Sequence, residues 1–66
     1  MIIDDENSVF SNLLTNNYVA ESTILAPFAA DGVRQERVHA SLRGLEAARR
    51  VDKQVASGVT SWRKAQ

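Results

Sequence analysis

The sequence predicts an all-α fold, a helical hairpin with one long amphipathic second arm, and three observations lead there. From Val33 to Trp62, residues Val38, Leu42, Leu45, Ala48, Val51, Val55, Val59 and Trp62 recur three or four apart. At about 100° per residue, that spacing gathers them on one side of a helix. Ahead of this run, Pro27 and the Asp31–Gly32 pair mark a connection, because the residue before proline is biased away from helical dihedrals and Asp-Gly favours a turn. Near the start, Val9, Phe10, Leu13 and Leu14 repeat at helical spacing behind an acidic cluster.

The first helix is expected to begin between Asp5 and Ser8, because Asp4, Asp5 and Glu6 suit both a cap and the positive end of a helix dipole. It should extend from about residue 6 to about residue 20, with Asn16 and Asn17 weakening its last turns. Residues 18–25 read two ways: Tyr18, Val19, Thr23 and Ile24 have strand propensity, while Ala20 and Glu21 suit a helix. A strand here has no evident partner in the chain and would need one from a second molecule. Residues 26–32 form the connection, with Phe28 folding back onto the core and Asp31 capping the second helix so that Gly32 takes its first position.

The second helix is expected over about 33–57, followed by a short basic tail, 58–66. Glu46 lies four residues before Arg50, the favourable order for a helical ion pair. Ala40, Gly44, Ala47, Ala48, Val51 and Gly58 line one edge with short side chains. A close contact at that edge would offset the cost of roughly 1 kcal/mol that Gly44 imposes inside a helix. Ser57 and Gly58 either end the helix or continue that edge.

Sixty-six residues make a single small module, and a chain of this size buries only about 60% of the surface its unfolded form exposes. With no cysteine to add a disulfide or thiolate metal site, completion by copies of itself or by a protein partner is expected. The net charge is zero, but residues 1–32 carry −5 with no Lys or Arg, and residues 33–66 carry +5. Such a split points to an oppositely charged partner surface, and here the chain encodes both signs itself. Asp4, Asp5 and Glu6 are expected to make charge contacts with Arg49, Arg50, Lys53, Arg63 and Lys64, within the chain or between copies.

The sequence carries no pattern of an enzyme, cofactor site or metal site. His39 is the lone histidine, whereas metal sites need clustered ligands. The adjacent acids Asp4, Asp5 and Glu6 diverge along the backbone instead of converging on a substrate, and no phosphate-binding glycine loop occurs. The apolar runs fall far short of the roughly 20 residues that cross a bilayer, and the acidic start does not suit a signal peptide. The expected location is cytoplasmic or within a macromolecular assembly.

The segment Ser41–Ala56, SLRGLEAARRVDKQVA, resembles the amino-terminal helix of flagellar rod and hook proteins in its Ser-Leu-x-Gly-Leu-x-Ala opening. Val51 and Asp52 arrive one residue early for that pattern, and Ser57, Gly58 and Val59 replace its asparagine-rich continuation. The resemblance covers about a quarter of the chain and implies a helical element in an axial assembly.

The function expected from these surfaces is a non-enzymatic structural or adaptor subunit of a larger assembly, such as a virion or a bacterial secretion or flagellar-type apparatus. Its protein contacts would run through Val38, Leu42, Gly44, Leu45, Ala48, Val51, Val55, Val59 and Trp62. The alternative is a small nucleic-acid-binding regulator using Arg34, Arg37, Arg43, Arg49, Arg50 and Lys53 to follow phosphates. Against the alternative stand the interspersed Glu36, Glu46 and Asp52, and the expectation that no short helix precedes Val33 at helix-turn-helix spacing.

Overall fold

A computed structural model describes residues 5–65, so Asp4 of the acidic cluster lies outside the described residues. Helix α1 (Glu6–Asn12) leads to a short strand β1 (Val19–Ala20), helix α2 (Glu21–Leu25) and a 3-10 turn (Ala26–Phe28). Helix α3 (Gly32–Ala47) and strands β2 (Val51–Ala56) and β3 (Val59–Lys64) complete the chain. The three strands form an antiparallel sheet in the order β1-β3-β2. The fold is therefore mixed helix and sheet, and the expected all-α helical hairpin is wrong.

The error has a local cause at each end. Helix α1 begins where expected, with the Asp5 side chain accepting from Ser8 N at 2.7 Å, but it stops at Asn12 instead of continuing to residue 20. Thr15 Oγ1 accepts from Asn17 N at 3.1 Å and donates to Asn17 O at 3.0 Å. This local turn competes with helical bonding, and it turns the chain into β1. Residues 19–25 are strand and then helix, split between Ala20 and Glu21, with Tyr18 in neither. The partner β1 lacked is β3 of the same chain, with Val19 opposite Trp62 and Ala20 opposite Ser61.

Helix α3 starts as expected, with the Asp31 side chain accepting from Arg34 N at 3.1 Å. It ends at Ala47, ten residues before the expected end at 57. Arg49 N donates to Glu46 O and Arg50 N to Leu45 O, both at 2.9 Å, while Arg49 takes φ 60°. This is a Schellman stop with arginine where glycine is usual. The chain then runs as β2, so residues 51–56 of the rod-and-hook resemblance form a strand, not a helix. Ser57 and Gly58 neither end nor extend a helix. With φ of 52° and 77° they make the two-residue hairpin turn between β2 and β3.

The core forms where α1 and α2 pack with α3 onto one face of the sheet. It consists of Val9, Leu14, Ile24, Val38, Leu42, Leu45, Val51 and Trp62, with Phe10, Leu13, Val19, Leu25 and Phe28 packed around it. Trp62, on the central strand, is 1% exposed and the largest of these side chains. Lys64 N donates to Thr15 O at 2.8 Å and Ala65 N to Arg50 O at 3.0 Å, which ties the chain's end to the loop after α1 and to the exit of α3.

Candidate nucleic-acid interface

Two faces of α3 do different work. Val38, Ser41, Leu42 and Leu45 face the core. Val33, Glu36, Arg37, Ala40, Arg43 and Ala47 are exposed and, at 3.6 residues per turn, form a single stripe on the other side. Its long side chains are two arginines and one glutamate, and alanine occupies its middle. Arg34, at the first turn, is exposed as well and lies 3.5 Å from the Asp31 carboxylate that caps the helix. An open groove of about 640 Å³ runs along this side, where Leu25 and Gly32 face Gln35, Glu36, His39, Ala40 and Arg43.

The short helix α2 precedes α3 across residues 26–31, a longer connection than the three- or four-residue turn usual in a helix-turn-helix. Its placement depends on Glu21, in its first turn. Glu21 Oε1 meets His39 Nδ1 of α3 at 2.8 Å and accepts from Trp62 Nε1 of β3 at 3.3 Å. An ionised carboxylate can only accept, so the His39 ring presents its N–H at Nδ1. A single oxygen thus joins α2, α3 and the central strand. His39 makes this contact while its side chain stays 43% exposed at the edge of the open groove. Sequence reasoning missed the trio because its members lie 18 and 41 residues apart.

The structure separates the nine residues expected to contact partners. Val38, Leu42, Leu45, Val51 and Trp62 are buried in the chain's own core. Gly44 is covered by the Glu6 side chain of α1, and Ala48 is exposed at the cap of α3. Val55 and Val59 are exposed near the hairpin turn, at 61% and 50%.

The charged residues are also redistributed. Arg50 donates to Asn7 Oδ1 at 3.2 Å and lies 4.5 Å from the Phe10 ring centre, and Lys64 sits 5.1 Å from the same ring. The cations of the second half do reach α1, but through an amide and an aromatic face. Lys53 lies 5.8 Å from the Trp62 ring. Arg63 pairs with its cross-strand neighbour Asp52 at 3.1 Å and lies 4.6 Å from the Tyr18 ring. Asp5 caps its own helix, and the exposed Arg49 turns the corner out of α3. The sheet cations Lys53, Arg63 and Lys64 therefore lie over aromatic rings of the fold, and Arg37 and Arg43 of α3 line its outer stripe.

Among the described residues no cluster of His, Cys, Asp or Glu is arranged to hold a metal ion, and no helix is long and apolar enough to cross a membrane. No protein family, curated protein or solved structure matches the chain.

Proposed function

We propose that this chain is a non-enzymatic duplex-DNA-binding module of helix-turn-helix type, with α2 as the supporting helix, α3 as the helix that enters the major groove, and the β2–β3 hairpin as a flanking wing. One observation carries the reading. In the α2–turn–α3 unit, the second helix keeps an exposed outward stripe that carries Arg37 and Arg43 around Ala40, and among the described residues Glu6 of α1 reaches over it at Gly44. A helix-turn-helix places its second helix in the major groove in this manner. The small residues allow close approach of the helix to the base edges. Arginine suits guanine O6 and N7, and an alanine methyl suits the thymine methyl. The Glu21 contacts to His39 and Trp62 fix α2 against α3 and so set the angle at which α3 is presented.

A mobility-shift titration against salt tests the reading. The expected result is retardation at low salt that weakens steeply as salt rises, since each neutralised phosphate adds about −0.9 to the slope of log K against log salt. Arg43→Ala should weaken binding and, if Arg43 lies on a base edge, should relax preference at one base pair by about 1–3 kcal/mol. Absence of retardation at low salt would sink the proposal.

A protein-contact role retains one supporting observation, the exposed pair Val55 and Val59 beside the hairpin turn. Native mass spectrometry of the chain tests it. A monomer at micromolar concentration removes self-association from consideration.

A further inference from the structure

Glu6 stands in the first turn of α1 and lays its side chain against the α3 backbone at Gly44, in the space a Cβ would occupy. Gly44 lies within the arc of the outward stripe of α3, one turn from Ala40 and three residues from Ala47. Asp5 is committed to capping α1 through Ser8 N, so Glu6 is the described acid of the cluster that reaches α3. Its carboxylate is the far end of an exposed, flexible side chain and can move aside at little cost. Glycine at position 44 is what lets it rest there.

We propose that Glu6 is an electrostatic gate on α3: its carboxylate occupies the approach path of the DNA backbone, and the duplex seats fully only when that side chain swings away. The inference rests on the DNA-binding reading above. A carboxylate and a phosphate of like charge repel at this point, whereas the arginines of the stripe attract the same phosphates. The segregation of acids into residues 1–32 and bases into residues 33–66 acquires a purpose through this contact, because it lays one negative group from the first half on the basic helix of the second.

The test is fluorescence anisotropy on a labelled mixed-sequence duplex at low salt. It compares the full chain with Glu6→Gln, Gly44→Ala, the double variant and Glu46→Gln, a charge change elsewhere on α3, with thermal melting to confirm that each is folded. Glu6→Gln should tighten binding about fivefold, the size of one like-charge contact in a largely aqueous setting. Gly44→Ala should tighten it similarly by displacing the carboxyl group. The double variant should do no better than either alone, because both changes remove the same contact, and Glu46→Gln should change affinity by less than about twofold. Equal effects of Glu6→Gln and Glu46→Gln, or additive effects of Glu6→Gln and Gly44→Ala, overturn the gate while leaving DNA binding intact. If neither the parent chain nor any variant binds, the DNA reading itself has failed and the gate falls with it.

Discussion

Helix α3 and the β2–β3 hairpin share a sequence pattern and differ in everything else. In both, apolar residues recur four apart: Val38 and Leu42 in the helix, Val51 and Val55 in the strand. Four is close to one helical turn and is also an even number, so two residues at that spacing share a face in either conformation. Apolar spacing alone could not separate the two regions. What separates them is chemistry at the junctions, where the backbone turns left-handed at Arg49, and again at Ser57 and Gly58. The two regions also bury different amounts. The helix inserts Val38, Leu42 and Leu45 into the core, whereas β2 contributes Val51 and leaves Lys53, Gln54, Val55 and Ala56 exposed.

The largest expected effect follows from that difference. Leu42→Ala should cost about 2–5 kcal/mol through lost contacts and a residual cavity. A core this small rarely supplies more than about 3–5 kcal/mol in total, so the variant should be largely unfolded by circular dichroism at room temperature. Val55→Ala, equally apolar and at an equivalent point in the pattern, should stay within about 0.5 kcal/mol of the parent in urea denaturation. A comparable loss at Val55 would show that the hairpin is covered in solution, by a second copy or otherwise.

The glycines sharpen the contrast by sign. Gly58 holds φ +77° in the hairpin turn, so Gly58→Ala should destabilise by about 1 kcal/mol. Gly44 lies in regular helix against a side chain that can yield. There, Gly44→Ala should raise stability by up to about 1 kcal/mol from helix propensity. Opposite shifts of the two urea midpoints are the expected outcome. A loss at both positions would mean that the Glu6 contact over Gly44 contributes more to folding than an exposed side chain should.

Much of the first half of the architecture was legible because it depends on local chemistry. Asp5 and Asp31 cap the helices they were expected to cap, Gly32 opens α3, and Phe28 packs back against the core. The sheet was not legible, because its pairings join residues far apart in sequence, Val19 with Trp62 and Val51 with Lys64, and no local signal encodes them. One usable signal was passed over: Ser57-Gly58 is flanked by Val55 on one side and Val59 and Thr60 on the other, turn residues between strand formers. Missing the hairpin also concealed the wing, because a helix expected over about 33–57 ran through it, while α2 was hidden in the two-way reading of residues 18–25. The basic residues of α3 were recognised as able to follow phosphates, and it is their presentation on a helix behind α2 that the sheet made visible.

The smallest predicted effect addresses the junction itself. Arg49 adopts φ 60° as the left-handed residue of the Schellman stop, a conformation that costs a non-glycine residue roughly 1–2 kcal/mol. Glycine relieves that strain but gives back about 0.5–1 kcal/mol through the greater freedom of the unfolded chain. Arg49→Gly should therefore stabilise by about 0.5 kcal/mol net, the difference of those two terms. Arg49→Ala provides the control, since it removes the same charge and keeps the strained backbone. A urea midpoint that rises for glycine and not for alanine assigns the gain to conformation, and with it the place where helix gives way to strand. If both variants gain equally, the relief is electrostatic, from separating Arg49 and its neighbour Arg50. The helix would then be stopped chiefly by the pairing of β2 with β3 beyond the junction, and a cut at the hairpin turn should let α3 lengthen toward Val51, visible as added helical signal in circular dichroism.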